Sequence, residues 1–174
     1  AGRHARAQHV GSFVRGDSYD TDVISSASDQ FTVRASGGVR FFTDAFLSTG
    51  VTLAPGGGSW GTVSDRNAKE NVKPVSGEEL LSKLSEISIS EWNYISQNDS
   101  IRHIGPMAQD FYAAFGVGED DKHITTIDAD GVALAAIQAL NAQNLELRRL
   151  IEAQQKQIDI QKREIQSLQE AITH

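Results

Sequence analysis

A seven-residue repeat of apolar positions runs along the C-terminal part of the chain. From residue 137 onward, apolar residues recur at spacings of three and four. One set of positions holds Ile137, Asn144, Ile151, Ile158, Ile165 and Ile172, and the other holds Leu140, Leu147, Gln154, Gln161 and Leu168. The repeat predicts a coiled-coil helix over residues 131–174. A single amphipathic helix packed on its own domain is disfavoured, because residues 148–174 hold almost no apolar side chains outside the two sets.

The number of strands in this coiled coil stays open on sequence rules alone. Isoleucine in the first set with leucine in the second favours two strands in a parallel pair. The polar members Asn144, Gln154 and Gln161 would cost stability and would set the register and the number of strands. Two and three strands are therefore both compatible with the repeat.

The N-terminal third shows the two-residue alternation of β-strands. Residues 30–34 alternate apolar with polar positions. A turn signal at residues 35–38 is followed by a second predicted strand over 39–43, and residues 46–47 and 51–53 indicate one or two further strands. So few short strands make a poor independent domain. We therefore interpret residues 1–53 as the β-rich end of a fibre or stalk that pairs with other chains and continues a β structure upstream. A small β domain contained in this segment is the alternative.

The middle of the chain mixes helices and strands. A glycine-dense segment, residues 54–63, is expected to be a flexible or exposed linker. A mixed α/β domain is predicted over residues 64–130. Its expected elements are a helix that begins at a capping box in Ser76–Glu79, a strand over residues 87–95, a strand over 101–104, a helix with Pro106 in its first turn that stops at Gly116, and a short strand over 124–127.

Composition and charge narrow the classes of function. The 174 residues carry a net charge of −7 and no cysteine. Residues 1–63 hold five arginines and five aspartates, so the whole excess of negative charge lies beyond them. This balance disfavours binding to nucleic acid, and no apolar run approaches the roughly 18 residues of a membrane span. The histidines lack metal-ligand spacing, so no metal site is expected. No cofactor is expected either. The N-terminal residues lack the apolar segment of a signal peptide and are interpreted as a cut fragment of something longer.

Candidate chemistry lies just after the change in composition. The segment reads Val63-Ser64-Asp65-Arg66-Asn67-Ala68-Lys69-Glu70-Asn71-Val72, with a lysine five residues after a serine. A serine hydroxyl attacks a carbonyl only when a base takes its proton, and a lysine can be that base when burial or a cationic neighbour lowers its pKa. A lone serine in a polar turn is usually not a nucleophile, so the spacing by itself is a weak signal. His103 is interpreted first as a structural, hydrogen-bonding histidine.

These motifs together resemble a known family. Ser64-Asp65-Arg66 with Lys69 and Asn71, the Gly-x-x-Ala-Gln block within residues 101–110, and the terminal coiled coil are similar to the intramolecular chaperone domain of endosialidase-type phage tail spikes and fibres. A related domain occurs in the myelin regulatory factor. The resemblance covers about residues 62–174. It implies a C-terminal, homotrimeric domain that helps three β-rich chains find register and then cuts itself off.

The resemblance also implies roles for individual residues. Ser64 matches the nucleophile of the family and Lys69 its general base. Val63 and Asp65 flank the expected cut, which we place next to Ser64 without choosing a side. Asn71 is a supporting candidate that could hold a backbone or help to stabilise an oxyanion. His103 is carried as a second supporting candidate.

The combined prediction is an α+β protein with a β-rich fibre end, a small mixed α/β chaperone domain, and a long C-terminal helix that forms a parallel homotrimeric coiled coil. The expected function is that of a trimerising chaperone and single-turnover serine endopeptidase acting on its own chain. A non-catalytic, permanent trimerisation or capping module of a tail fibre is the alternative. The expected partners are two further copies and the upstream fibre segment, without nucleic acid or membrane. Assembly is expected in the host cytoplasm, with the mature fibre on the virion tail and the chaperone fragment released.

Overall fold

The computed structural model describes residues 2–172. The chain is mixed α+β, with small sheets and a long C-terminal helix, which confirms that part of the predicted fold class. It divides into two compact units, one ending at Val72 and the other beginning at Lys73. Within residues 2–172, no helix combines the length and the apolar character needed to cross a membrane.

The first unit begins with two parallel strand pairs. The strands are β1 (Ala5–Arg6), β2 (Phe13–Arg15), β3 (Val23–Ile24) and β4 (Phe31–Val33). Strand β1 pairs with β3 and β2 with β4, so that Ala5 lies opposite Val23 and Phe13 opposite Phe31. Both pairs have the same offset of eighteen residues, so the chain returns to an equivalent position after each coil, as in a β-solenoid. Strand β4 confirms the strand predicted over 30–34, whereas β1, β2 and β3 were not predicted.

Side-chain contacts repeat across the two coils. The rings of Phe13 and Phe31 stack with centroids 5.1 Å apart. Gly11 and Asp29 both have positive φ, at positions separated by the same eighteen-residue offset. Ser25 is almost fully buried, and its hydroxyl oxygen accepts hydrogen bonds from two backbone N–H groups of the preceding coil. Hydrogen bonds and ring stacking thus hold a unit that contains little buried apolar volume.

A three-stranded antiparallel sheet follows in the same unit. Its strands β5 (Val39–Phe42), β6 (Gly50–Leu53) and β7 (Trp60–Thr62) lie side by side in chain order. Strands β5 and β6 confirm the predictions over 39–43 and 51–53. Residues 46–47 form no strand, because the carboxylate of Asp44 accepts backbone N–H groups and folds this segment into a tight loop. Strand β7 lies inside the glycine-dense segment, which is therefore not structureless over its whole length.

The second unit contains three helices and a two-stranded sheet. Its elements are α1 (Gly77–Glu86), β8 (Ser90–Trp92), β9 (His103–Gly105), α2 (Ala108–Phe115) and α3 (Thr126–Ile172). Leu80, Phe111 and Ala136 are its buried apolar side chains, one from each helix. Helices α1 and α3 cross closely, since a Cβ added at Gly77 would lie 2.7 Å from the Cβ of Ala139.

Helix boundaries in this unit follow their caps. The hydroxyl oxygen of Ser76 accepts a hydrogen bond from the Glu79 N–H at 3.3 Å, which confirms the predicted start of α1. Gly116, with a φ of 62°, ends α2 in the left-handed conformation, also as predicted. Met107 is the N-cap of α2, so Pro106 precedes the helix and the prediction that it lies in the first turn was wrong.

Two other predictions in the second unit need correction. Strands β8 and β9 are antiparallel, and β8 is shorter than the strand predicted over 87–95. The strand predicted over 124–127 is absent, because α3 already begins at Thr126. The side chain of Thr125 accepts the Asp128 N–H at 3.2 Å and donates to its carboxylate at 2.7 Å. This reciprocal pair caps a helix start that apolar pattern alone does not indicate.

Helix α3 spans the whole apolar repeat within the described residues and begins five residues before the predicted start of the coiled-coil segment. Its repeat positions are open to solvent in the single chain: Ile151 is 62 % exposed and Leu168 is 62 % exposed. The helix therefore presents an uncovered apolar stripe.

Candidate functional site

The candidate site starts where the antiparallel sheet of the first unit ends. The N–H of Val63 donates to the carbonyl oxygen of Gly50 at 3.2 Å, so pairing with β6 continues to the residue before Ser64. A side chain at position 50 would overlap the carbonyl oxygen of Phe41 on the other side of β6. Only glycine allows β6 to lie this close to β5 and still hold Val63.

A short 3-10 helix, Arg66–Ala68, directly follows Ser64 and Asp65. Asp65 is its N-cap: one carboxylate oxygen accepts from the backbone N–H of Asn67 at 2.9 Å and from its side-chain amide at 3.1 Å. The N–H of Ala68 donates to the Asp65 carbonyl, and the N–H of Lys69 donates to the Arg66 carbonyl. The turn reverses the chain and returns Lys69 toward Ser64.

This reversal brings the two principal candidate residues together. The Lys69 amine Nζ donates a hydrogen bond to Ser64 Oγ at 2.6 Å. Both side chains are exposed to solvent, and both belong to the first unit. With a neutral lysine the same contact would run in reverse, from the serine hydroxyl to the amine. A nucleophile and a base within hydrogen-bond reach are the arrangement that activates a serine.

The flanking candidates occupy different environments. Val63 is held by its backbone N–H, as described above, and Asp65 organises the turn. Asn71 has a φ of 54°, in the left-handed region that asparagine tolerates, and its side chain has no hydrogen-bond partner among residues 2–172. Its supporting role stays a prediction.

His103 belongs to the second unit and has structural partners there. Its Nε2 lies 2.9 Å from Gln97 Oε1. Its ring lies 4.8 Å from the ring of Trp92 and 5.5 Å from that of Tyr94. These contacts are those of a structural, hydrogen-bonding histidine, and a further role for His103 stays a prediction.

Two residues that position the site were missed from the sequence. Gly50 is identified only by strand pairing between distant segments. The contact between Asp65 and Asn67 could have been predicted from the sequence, because aspartate commonly accepts the N–H two residues ahead in a turn. Within the described part of the chain, no group of three or more histidine, aspartate or glutamate side chains is placed to hold a metal ion.

Comparison with known families adds a direct match at this site. No curated protein matches the chain. The model of a peptidase family, described as the chaperone of endosialidase, matches residues 64–117. The matched segment begins at Ser64, includes Lys69 and runs through α2, while α3 lies beyond it. The family implies a serine peptidase-type domain. Over these residues the chain is thus similar to the chaperone of endosialidase, which confirms the resemblance inferred from its motifs.

Proposed function

We propose that this chain is an intramolecular chaperone that brings three copies of a β-rich fibre protein into register and then releases itself by cutting its backbone next to Ser64. The observation that carries the proposal is the 2.6 Å hydrogen bond between Lys69 Nζ and Ser64 Oγ, at the first residue of the family match. Ser64 would be the nucleophile and Lys69 the general base. The pair would act once, on its own chain.

Assembly through α3 is supported by the uncovered stripe of that helix. Its isoleucines and leucines are exposed in the single chain, and burying them between parallel copies would stabilise an oligomer. The polar members of the stripe, Asn144, Gln154 and Gln161, would each face the same residue of another copy only when the helices are parallel and in register. The number three comes from the family resemblance.

Exposure of the Ser64–Lys69 pair supports a link between assembly and cutting. An amine in water stays protonated and cannot accept the proton of a serine, whereas burial favours the neutral amine. Both side chains are exposed in the single chain. We therefore propose that assembly covers this pair, so that cutting follows trimer formation.

In the first chemical step, the acyl group of the attacked peptide bond moves from the amide nitrogen to Ser64 Oγ. Lys69 accepts the proton of Ser64 as Oγ attacks a carbonyl carbon, and a tetrahedral intermediate forms. The C–N bond then breaks, the departing nitrogen takes the proton from the lysine, and an ester to Oγ remains.

The second chemical step hydrolyses this ester. Water adds to the ester and gives a proton to the lysine. The C–O bond breaks, and Oγ recovers its proton from the lysine.

Two peptide bonds can serve as the target. Attack on the Val63 carbonyl passes through a five-membered ring and leaves Ser64 on the released fragment. Attack by Ser64 of a neighbouring copy on the Ser64–Asp65 bond leaves Ser64 on the fibre. Attack by Ser64 on its own carbonyl would require a strained four-membered ring, so we do not propose it.

Release would make assembly kinetically irreversible. Once the chaperone segment has left, it no longer takes part in the reverse reaction, and the fibre keeps its trimeric fold behind an unfolding barrier. In this proposal assembly and cutting take place in the host cytoplasm, and the mature fibre is carried on the virion tail.

The test is the intact mass of freshly purified protein. Wild type should give two fragments that meet next to Ser64, and the fragment beginning with Ser64 or Asp65 identifies the bond. Ser64→Ala should stay uncut, and Lys69→Met should slow cutting by about 10²- to 10⁴-fold. Ser59→Ala and Lys73→Met change an exposed serine and an exposed lysine nearby and should cut normally. A wild-type chain that stays whole after long incubation as a trimer would refute self-cleavage and indicate a permanent capping module.

A further inference from the structure

We infer that Asn67 is a positioning residue for the proposed cleavage and acts through Asp65 to hold Lys69 against Ser64. The inference rests on the proposed function. The side-chain amide of Asn67 donates to the Asp65 carboxylate and makes no hydrogen bond to Ser64 or Lys69. Its effect on the reaction would therefore be indirect, through the geometry of the turn.

Two donors from one residue converge on a single carboxylate oxygen. Asp65 Oδ1 accepts the Asn67 backbone N–H at 2.9 Å and the Asn67 side-chain amide at 3.1 Å. The backbone bond alone leaves the carboxylate free to rotate about it. The side-chain bond adds a second donor at the same oxygen and restricts the direction in which Oδ1 can point, so the orientation of the Asp65 side chain and the conformation of the turn become linked.

The turn then fixes the backbone of Lys69. The Lys69 N–H donates to the Arg66 carbonyl at 3.2 Å, and Lys69 leaves the turn in an extended conformation with φ of −124° and ψ of 142°. Its side chain spans the short distance back to Ser64. Every residue from 64 to 71 is exposed, so no core packing orders this segment. Local hydrogen bonds must supply that order.

The chain contains a second turn with the same connectivity. In residues 98–100, the side-chain oxygen of Asn98 accepts the Ser100 N–H at 3.0 Å and the Ser100 hydroxyl at 2.8 Å. The spacing between acceptor and double donor is the same, but the donor side chain is a serine. A serine at position 67 should therefore supply the second hydrogen bond to Asp65. Asn98 itself provides a matched control, because its turn lies in the other compact unit.

The experiment measures how fast assembled chains cut themselves. Uncut 174-residue chain is isolated in urea and refolded by dilution. Samples quenched over time give the cut fraction by intact mass, and sedimentation gives the assembled fraction in parallel. Wild type is compared with Asn67→Ala, Asn67→Ser and Asn98→Ala. The first-order rate constant reports positioning, whereas the final cut fraction reports how much protein folds.

We expect Asn67→Ala to lower the rate constant about threefold to tenfold, the effect of one exposed hydrogen bond to a charged acceptor, with assembly unchanged. Asn67→Ser should restore the rate to within about twofold of wild type, and Asn98→Ala should match wild type. An unchanged rate constant for Asn67→Ala would overturn the inference, as would a loss confined to the assembled or final cut fraction. Equal slowing by Asn98→Ala would overturn it too. If wild type itself stays whole, the proposed function fails and this inference fails with it.

Discussion

Replacing Ile151 by aspartate places a carboxylate in the middle of the apolar stripe of α3. Ile151 is 62 % exposed in the single chain and is not one of the buried core residues. The substitution should therefore leave the two compact units folded. Its effect should appear only in assembly, where the stripe would be covered by the same stripe of other copies.

The size of the effect follows from the exposed fraction. Complete burial of an isoleucine side chain stabilises by about 1.5–3 kcal/mol, so the exposed part of Ile151 accounts for about 1–2 kcal/mol per chain and about 3–6 kcal/mol per trimer. Because about 1.4 kcal/mol corresponds to a tenfold change, the association constant should fall by at least about a hundredfold. Three carboxylates brought together away from water would weaken it further.

Sedimentation equilibrium at micromolar concentration measures this loss directly. In the uncut Ser64→Ala background, we expect a trimer for the parent chain and a monomer once Ile151→Asp is added. Ala153→Asp is the matched control, because it adds the same charge two residues away, outside the stripe, and costs more intrinsic helix propensity. If Ile151→Asp assembles like the parent chain, the stripe is not the interface. If it is monomeric but the same change with Ser64 intact still allows cutting at the wild-type rate, cutting does not depend on assembly.

Three further changes test the packing and the hydrogen bonding within the two compact units. Phe111→Ala removes a side chain that is 5 % exposed and should lower the free energy of unfolding in urea by about 3–5 kcal/mol; a loss below about 1 kcal/mol would exclude it from the core. Gly50→Ala would overlap the Phe41 carbonyl oxygen and should slow self-cleavage, seen by intact mass, while the trimer persists; unchanged cutting would contradict this. Hydrogen bonds, first those from Ser36, hold the pKa of Asp17 well below its ordinary 3.8. That stabilisation is complete above about pH 4 and is lost as pH falls through the folded-state pKa. Asp17→Asn should therefore lower Tm at pH 7, with a difference that narrows in acid; a constant difference would refute this assignment.

Sequence predicted the elements whose signals are local or periodic. The capping box at Ser76 located the start of α1, Gly116 located the end of α2, and the heptad repeat identified α3. Strand β4 was found from its alternation of apolar and polar positions, and β5 from the turn signal at residues 35–38 that precedes it. In each case the information lies within one segment of the chain.

The missed elements depend on contacts between distant segments. Strands β1, β2 and β3 have two or three residues each, and they exist because the chain pairs with itself at an offset of eighteen residues. Residues 124–127 are rich in β-branched side chains and were predicted as a strand. The cap at Thr125 and the packing of the helices place them at the start of α3 instead.

In the candidate site too, some features could be predicted from the sequence and others depend on hydrogen bonds that only the structure shows. Ser64 and Lys69 could be predicted because they and the surrounding motifs together resemble a known family, whereas their spacing alone is a weak signal. The turn that joins them depends on which N–H groups bind Asp65, and its connection to the sheet depends on the Gly50 carbonyl. Motifs identify the candidate groups, whereas backbone hydrogen bonds decide whether those groups meet.

Under the proposed function, the difference between contacts formed within one chain and burial supplied by partner chains also explains the timing of the cut. The contact between Ser64 and Lys69 forms through a turn within one chain, so it does not require a partner. Removal of water from the pair does require one, because both side chains are exposed in the single chain. A pair that is correctly placed but solvated keeps a protonated amine and stays inactive. Local folding would thus supply the geometry early, and assembly would supply the low-dielectric environment late. A chain that has not yet joined its partners would keep its chaperone segment, and only an assembled trimer would lose it.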